Sequence, residues 1–488
     1  MKYTFLFFIY YLLTSVSFGQ ESIFKKYEQQ SLINDIDSLI STIKKTHQNP
    51  FTYCSKSDLS LAVKNAKSQI KDSLNAYEFA EITAQLLSTL RDSHTYLNYA
   101  GLKKKYQMEG GRTVGFQIAK INDNYIIVKD KNALISIGSI LDTINGFDMD
   151  YLFNKVNNYS IFEGNSKNAN LKITEAIFSS SLGYVIPLLD QNKLVVRNGY
   201  EVENILYPAK QIPSQKKRQK KTKSAPFTLE IDSISKGELA VIKISSFSAK
   251  GNRSFNRFLR RSFKTIKKDN IKYVAIDLRN NLGGQIIRTD ILMSYLTEDA
   301  SYIPSNIIAK QSALSKQMYR SKINGFMFLF LKMSPFKSES LKNFVTQVKM
   351  KEGEVDTLYY KEPNPYFSKK HNFKGKSFLM INGMSGSASV LFASAYRNEI
   401  INGTIIGEPC LGPRSGTWGN PAKYVLPNSG LQVFISTIRT NIDNSFVSDD
   451  IEFTPDFIIP RTIDTIKIET DDYLTFIREQ LIKQGNHK

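Results

Sequence analysis

The sequence predicts an α/β core that follows a helical N-terminal domain and a small inserted β domain. Three patterns predict this order. Apolar residues recur at helical spacing from residue 31 to about residue 90, and strand-like alternation with glycine turns fills about 106–200. From Leu239 onward, short apolar strands alternate with helices, which is typical of a partly parallel sheet. The predicted domains span 20–105, 106–200 and 236–475, with a basic linker over 201–235.

Composition allows a sizeable core, because 41% of the 488 residues are hydrophobic and 23% are charged. These figures exclude a disordered chain, a collagen-like repeat and a disulfide-stapled miniprotein. The formal net charge is +20, which only weakly indicates an anionic partner.

The first nineteen residues have the pattern of a secretory signal peptide. Lys2 precedes an apolar run from Phe5 to Leu13, and Ser17 and Gly19 place small residues before a cleavage point. An uncleaved N-terminal anchor is the alternative. We expect an exported protein of the periplasm, cell envelope or extracellular space, with no integral membrane segment after cleavage.

Helical spacing predicts three helices between Ser31 and Leu90. Asn75, followed three residues later by Glu78, predicts the N-cap of the third helix. That helix would deliver the string Arg91-Asp92-Ser93-His94 at its C-terminal end.

Two strands are predicted at 114–118 and 125–128, around a turn at 122–124. A glycine turn into an apolar strand, ending in Asn-Gly, follows at 137–146. This region resembles a PDZ domain. The resemblance implies that an extended peptide adds as a strand, with its carboxylate near a turn that contains Arg112, Gly115 and Phe116.

Positive charge concentrates in the run over 216–223, which has no aromatic residue for stacking on bases. We interpret this run as a solvated linker, with contact to an acidic surface as the alternative. Nucleic-acid binding is therefore not predicted.

The core is predicted from short strands and the helices between them. The strands are Leu239–Ile244, Tyr273–Leu278, Ser377–Ile381 and Thr404–Ile406; the helices are Phe255–Lys267, Ile286–Leu296 and Ala388–Asn398.

Two segments of the core have the composition of a catalytic site. Residues 382–389 place small residues and serines between a strand and a helix, where a hydroxyl and free N–H groups can meet. An ordinary Ser/Gly-rich turn with an N-cap is the alternative. Residues 277–284 end in Gly283-Gly284 directly after a buried strand, and these glycines let the backbone approach a ligand closely.

These strings, in this order, resemble the C-terminal-processing (tail-specific) serine peptidases of peptidase family S41, which include the tricorn core. The matching pieces are Asp277–Gly284, Ser385–Ser389, Ile405–Glu408 and Leu426–Gly430. The resemblance implies that Ser387 is the nucleophile. It also implies that the oxyanion hole is formed by the N–H of Ala388 and that of Gly284 or Gly283.

The general base departs from the tail-specific pattern. Those enzymes use a lysine about 25 residues after the serine, and Pro413 stands there instead. Arg414 cannot replace the lysine because a guanidinium does not deprotonate in proteins. Tricorn-like members use a Ser-His pair, here Ser93-His94, and an imidazole with a pKa of about 6.5 suits proton transfer.

An acid should orient the histidine. Tricorn-like members have a glutamate shortly before a string that ends in Pro-Asp, which resembles Pro455-Asp456 here. Counting back from this pair, the resemblance implies that Asp449 takes the place of the glutamate and acts through Ser93. Asp450, Glu452 and Asp92 remain open as alternatives.

The sequence therefore predicts an exported serine-type peptidase that hydrolyses peptide bonds of unfolded or C-terminal polypeptide segments without a cofactor. The four histidines are scattered singly, so no metal site is predicted. A non-catalytic peptide-binding protein and another acyl hydrolase are the alternatives. Cys54 and Cys410 could form a bridge or remain buried thiols.

Overall fold

The computed structural model of the protein describes residues 25–211, 225–235, 238–297, 306–322, 345–359, 372–442, 452–468 and 470–485. The predicted signal peptide over 1–19 and the basic run over 216–223 lie outside these residues. Within them, no helix has the length and apolarity needed to cross a membrane. Cys54 and Cys410 are both buried and both free.

The three predicted helices pack through their apolar faces in the N-terminal region, and a fourth helix, over Tyr99–Met108, was not predicted and joins the same core. The side-chain oxygen of Asn75 accepts the N–H groups of Tyr77 and Glu78, and the Glu78 carboxylate accepts the N–H of Asn75. This capping box confirms the predicted start of the third helix. The elements are β1 (Lys26–Tyr27), α1 (Gln29–Thr46), α2 (Lys56–Gln69), β2 (Leu74–Asn75), α3 (Ala76–Ser88), β3 (Tyr96–Leu97) and α4 (Tyr99–Met108).

An antiparallel sheet follows, and two helices pack on it around a core of its own. Its elements are β4 (Arg112–Thr113), β5 (Phe116–Ile121), β6 (Asn124–Asp130), β7 (Ile140–Ile144), β8 (Phe147–Asp148), α5 (Met149–Asn157), α6 (Lys167–Val185), β9 (Gln191–Asn198), β10 (Glu201–Pro208) and β11 (Lys210–Gln211). The sheet order is β10-β9-β7-β6-β5. The first predicted strand begins two residues later than expected because residues 112–113 pair with β11 instead.

The core sheet has the order β12-β13-β14-β17-β18-β23 and is parallel except for β12. Its elements are β12 (Phe227–Ile231), β13 (Leu239–Ile244), α7 (Asn252–Lys268), β14 (Tyr273–Asp277), α8 (Ile287–Met293), β17 (Lys376–Ile381), α10 (Ala388–Glu399), β18 (Gly403–Gly407), β23 (Phe457–Ile458), α11 (Ile463–Ile468) and α12 (Asp472–Gly485). This sheet confirms the predicted α/β fold class. The helix α8 ends earlier than predicted because Tyr295 and Leu296 bond to carbonyls only three residues back, in a tighter turn.

Smaller sheets complete the core. A four-stranded sheet has the order β16-β15-β22-β19, and a three-stranded sheet joins β20 and β21 to β3 of the N-terminal region. The added elements are β15 (Asn306–Lys310), α9 (Ala313–Lys322), β16 (Val355–Tyr359), β19 (Gly416–Gly419), β20 (Ala422–Val425), β21 (Gln432–Ile435) and β22 (Ile438–Asn441). The N-terminal helices share a hydrophobic core with β21, so this region packs directly on the α/β core.

Candidate active site

Ser387 occupies a strained turn between β17 and α10. Its backbone has φ 53° and ψ −119°, a conformation that costs a non-glycine residue about 1–3 kcal/mol. Tight packing around the turn requires small neighbours, since a Cβ on Gly386 would lie 2.9 Å from a methyl group of Leu411. A strained strand-to-helix turn exposes the hydroxyl of a nucleophilic serine. Ser387 therefore has the backbone geometry of a nucleophile.

Asn281 bonds the loop after β14 to the Ser387 turn. It is fully buried, and its carbonyl accepts the Gly386 N–H at 3.0 Å and the Ser389 hydroxyl at 2.8 Å. Its side chain accepts the Gly283 N–H at 2.9 Å and donates to the Ile244 carbonyl at 2.9 Å. One residue thus fixes the distance between the two segments that the sequence analysis identified.

Two backbone N–H groups beside Ser387, those of Ala388 and Gly284, have no acceptor within the described part of the chain. The N–H of Gly283 is engaged by Asn281, as described above. A Cβ on Gly283 would lie 2.7 Å from Ser387 Cβ and 2.8 Å from the Ala388 nitrogen, so only glycine permits this approach. Unengaged N–H groups next to a serine hydroxyl can stabilise an oxyanion.

His94 reaches Ser387 from the N-terminal region. Its Nε2 lies 3.2 Å from Ser387 Oγ, although 293 residues separate the two in sequence. The strand β3 begins two residues after His94 and pairs with β21, where Phe434 lies opposite Tyr96. This pairing anchors the histidine segment to the core.

Ser93 bridges His94 to the buried carboxylate of Glu163. Its Oγ lies 3.0 Å from His94 Nδ1 and donates to Glu163 Oε2 at 2.6 Å. Because the Ser93 proton points to Glu163, Ser93 Oγ accepts the Nδ1–H of His94. This tautomer leaves His94 Nε2 as an acceptor facing Ser387.

Glu163 lies between α5 and α6, and the sequence analysis did not identify it. Its carboxylate is fully buried and also accepts the Thr417 hydroxyl at 3.1 Å and the Trp418 N–H at 3.2 Å. The string Phe162-Glu163-Gly164 carries no distinctive signal. Only the fold, which brings four distant segments together here, reveals this residue.

The pKa of His94 lies above the ordinary histidine value. Burial by itself would lower it, but the hydrogen-bonding and charge of Glu163, with a smaller effect of Asp92, outweigh burial. The imidazolium form is therefore stabilised, as a general base that must hold a proton during a reaction requires.

Asp92, one of the predicted alternatives for the acid, bonds to the backbone of His94 rather than to its ring. Its carboxylate accepts His47 Nε2–H at 2.9 Å, the Thr95 and Ser436 hydroxyls at 2.6 Å each, and the His94 N–H at 2.8 Å. Burial would raise the pKa of Asp92, but these partners keep it below the usual range. Asp92 therefore holds the turn that carries Ser93 and His94.

Of the other predicted acids, only Glu452 lies within the described residues, and it does not bond to His94 there. Asp449 and Asp450 fall within 443–451, outside the described residues. The Glu452 carboxylate accepts the N–H of Asn168 at the start of α6, at 3.3 Å.

The predicted peptide-binding residues lie in the antiparallel region and do not line the cleft of Ser387. Arg112 forms an ion pair with Asp190 at 2.7 Å. Gly115 precedes β5, and the Phe116 carbonyl accepts the hydroxyl of Ser179 on α6. At this point α6 already engages the backbone of β5, and the peptide-binding role of Arg112, Gly115 and Phe116 stays a prediction.

A cleft of about 690 Å³ opens over Ser387 and His94. Among its described lining residues, His94 has the only ionisable side chain, and Leu282, Leu391 and Trp418 contribute apolar surface. A second cleft, of about 750 Å³, lies between the antiparallel region and the core and does not include Ser387. Its walls carry ion pairs such as Lys172–Glu408 at 3.0 Å.

Comparison with known proteins agrees with the motifs. Residues 238–459 match the sequence profile of peptidase family S41. No curated protein sequence matches the chain.

Among solved structures, the chain is similar to mature CPAF, with 13% identity, a TM-score of 0.64 and coverage of 94% of this chain and 99% of that one. The complex of mature CPAF with lactacystin gives 12% identity, a TM-score of 0.64 and coverage of 94% and 100%. The photosystem II D1 C-terminal processing protease gives 13% identity, a TM-score of 0.42 and coverage of 90% and 96%. The likeness to CPAF shows the fold that the two chains share.

The profile match covers both segments that meet at Ser387, and the fold agrees with it from end to end. Residues 238–459 match peptidase family S41, and the chain is a hydrolase of the peptidase class.

Proposed function

We propose that the protein is an exported serine peptidase in which Ser387 attacks the peptide bond and His94 is the general base. The observation that carries this proposal is the 3.2 Å contact between His94 Nε2 and Ser387 Oγ. A nucleophile within hydrogen-bond reach of an oriented base is the arrangement that activates a serine hydroxyl.

In the first step, His94 Nε2 takes the proton from Ser387 Oγ as the oxygen attacks the scissile carbonyl. The resulting imidazolium then gives this proton to the leaving amine, and an acyl-enzyme on Ser387 remains. In the second step, His94 takes a proton from a water molecule that attacks the acyl group, and it returns a proton to Ser387. The protein itself supplies every proton-transfer group, and no cofactor enters.

Glu163, acting through Ser93, is the acid that we propose in place of Asp449. The Ser93 hydroxyl keeps its 2.6 Å bond to Glu163 throughout, while its oxygen accepts His94 Nδ1–H. This relay selects one tautomer and stabilises the imidazolium as it forms. The 3.8 Å separation between Glu163 Oε2 and His94 Nδ1 leaves Ser93 as the bridging group.

The N–H groups of Ala388 and Gly284 form the proposed oxyanion hole. Gly284 is preferred over Gly283 because the Gly283 N–H already donates to Asn281. The Ala388 N–H also lies at the N-terminus of α10, where the helix dipole favours a negative charge.

The test is the reaction of Ser387 with a fluorophosphonate, together with hydrolysis of unfolded polypeptides. We expect one covalent adduct, located on Ser387 by mass spectrometry, and activity that disappears in Ser387→Ala. The matched control is Ser68→Ala, which removes an exposed hydroxyl on α2. Steady hydrolysis by Ser387→Ala, free of contaminating protease, would contradict the proposal. Peptide binding without any covalent adduct would favour a non-catalytic binding protein.

Export follows from the predicted signal peptide and has its own test. Expression with the complete N-terminus should give a secreted or periplasmic chain whose first residue is Gln20, read by N-terminal sequencing. A chain that keeps residues 1–19 in the membrane fraction would instead support the uncleaved anchor.

A further inference from the structure

The outer face of α7 carries a continuous row of positive charge. The helix contains seven Lys or Arg residues and no Asp or Glu, and all seven side chains are exposed. Steps of three and four residues place them on one side of the helix, opposite the buried face. The seven residues are Arg253, Arg257, Arg260, Arg261, Lys264, Lys267 and Lys268.

This row weakens the helix that carries it. Like charges at i,i+3 and i,i+4 repel each other, and Arg253 in the first turn opposes the helix dipole. Among the described residues, Arg257 and Arg261 form no ion pair with a carboxylate, whereas six arginines outside α7 do. The charge of Arg257 and Arg261 therefore favours an anionic partner.

A groove of about 390 Å³ runs between α7 and β12. Phe227 and Phe258 meet in it with ring centroids 5.4 Å apart, while Lys250, Arg257 and Arg261 supply its charge. None of the described residues that line it is acidic. The strand β12 is the edge of the core sheet and pairs only with β13 in the described part of the chain. An extended peptide can add to such an edge through its backbone, and its carboxylates would face the two arginines.

The groove and the cleft of Ser387 are lined by neighbouring residues of one segment. Ser246 and Ser248 line the cleft, and Lys250 lines the groove. Two residues of extended chain span at most about 7 Å. Arg288 holds this wall in place, because its guanidinium donates to the Ala249 carbonyl at 2.6 Å and to the Lys250 carbonyl at 2.5 Å.

We propose that the α7–β12 groove is an exosite that binds an acidic, extended segment of the polypeptide substrate while another segment of it occupies the cleft. This inference rests on the proposed function. A polypeptide fits the groove better than a lipid surface does. The open edge of β12 can bond to a peptide backbone, and the recessed aromatic pair can contact peptide side chains. A flat anionic membrane would use only the outer row of charge.

Binding is tested with Ser387→Ala, so that turnover plays no part. The probes are two fluorescent peptides of equal length, one rich in Glu and one with Gln at the same positions. We expect the acidic peptide to bind about 10-fold tighter at low ionic strength, and most of this preference to vanish in about 0.5 M NaCl. Adding Arg257→Gln and Arg261→Gln should weaken the acidic peptide by about 10-fold and leave the Gln peptide unchanged.

The matched control adds Lys103→Gln and Lys104→Gln, which neutralise two exposed lysines on α4, and it should keep the preference. If the double arginine variant does not fold, Arg257→Gln alone should weaken the acidic peptide by about threefold. In the active enzyme, joining the acidic segment to a cleavable peptide should lower KM and leave kcat unchanged.

Equal binding of the two peptides, or a preference that survives loss of both arginines, would overturn the exosite. Sedimentation with phosphatidylglycerol vesicles tests the lipid alternative: vesicle binding that needs Arg257 and Arg261, without the peptide preference, would assign the row to a membrane. If the protein binds the acidic peptide but hydrolyses no peptide, the proposed ligand of the groove would still be supported. The proposed peptidase mechanism would be contradicted.

Discussion

The proposed nucleophile and the proposed base are held in different ways. Ser387 and the Gly283-Gly284 loop follow neighbouring parallel strands, and Asn281 joins them by short bonds inside the core. His94, with Ser93, comes from the N-terminal region and reaches the core through the pairing of β3 with β21. Formation of the core sheet therefore fixes the position of Ser387, whereas the position of His94 also depends on docking of a second region.

This difference separates two kinds of variant. A change in the core loops should alter stability and activity together, because the same bonds serve both. A change in the relay should also alter the pH dependence of activity, which a loss of stability alone would leave unchanged.

The largest effect is expected for His94→Ala. Loss of a general base next to an otherwise intact nucleophile should lower kcat/KM by about 10³–10⁴-fold. Because the side chain is only 17% exposed, the midpoint of urea unfolding should also fall, but too little to unfold the protein under assay conditions. Retention of activity within tenfold of wild type would mean that Ser387 uses another base.

Glu163→Gln tests the relay through the pH dependence of activity. Gln can still accept the Trp418 N–H but carries no charge, so kcat should fall by about 10²-fold. Glu163 raises the pKa of His94, and the base works only when it is deprotonated. Removing the charge should therefore move the acidic limb of the kcat/KM profile to lower pH.

Ser93→Ala serves as the partner variant, because it removes the bridge and keeps the carboxylate. It should give a smaller shift of the limb in the same direction. If the acidic limb of the kcat/KM profile is unchanged in Glu163→Gln, this carboxylate does not act on His94. An acid outside the described residues, such as Asp449, would then have to orient the histidine.

The comparison also explains what could be predicted from the sequence. The Ser387 turn and the Gly-Gly loop depend on small residues at fixed positions after strands, and such requirements are visible in a local string. The strand at Leu239–Ile244 was predicted to the residue because it is apolar except at Lys243, and its apolar residues are all buried.

Glu163 could not be found in this way. Its role depends on Ser93, Thr417 and Trp418, which lie on three distant segments, and no local pattern encodes those distances. Counting along the family string led to Asp449, which lies outside the described residues and stays a prediction. Within the described residues, a carboxylate reaches Ser93 from the segment between α5 and α6.

Asn281→Ala tests the core side of the comparison. The change leaves the Gly283 N–H and the Ile244 carbonyl without their side-chain partner, and both lie in a buried region. We expect a loss of about 1–3 kcal/mol in the free energy of unfolding and a fall of about tenfold in kcat, since Gly284 and Ala388 would no longer be held in register. A fall in kcat with unchanged stability would contradict the shared role.

The smallest effect is expected for Ser436→Ala, at the junction of the two regions. Ser436 donates to the Asp92 carboxylate at 2.6 Å, but His47, Thr95 and the His94 N–H donate to the same carboxylate. Losing one of four donors should cost about 1 kcal/mol in urea unfolding and lower kcat by less than about threefold, because the remaining three keep the turn in place. A tenfold loss of kcat at unchanged stability would instead mean that this one hydrogen bond controls the position of His94 relative to Ser387.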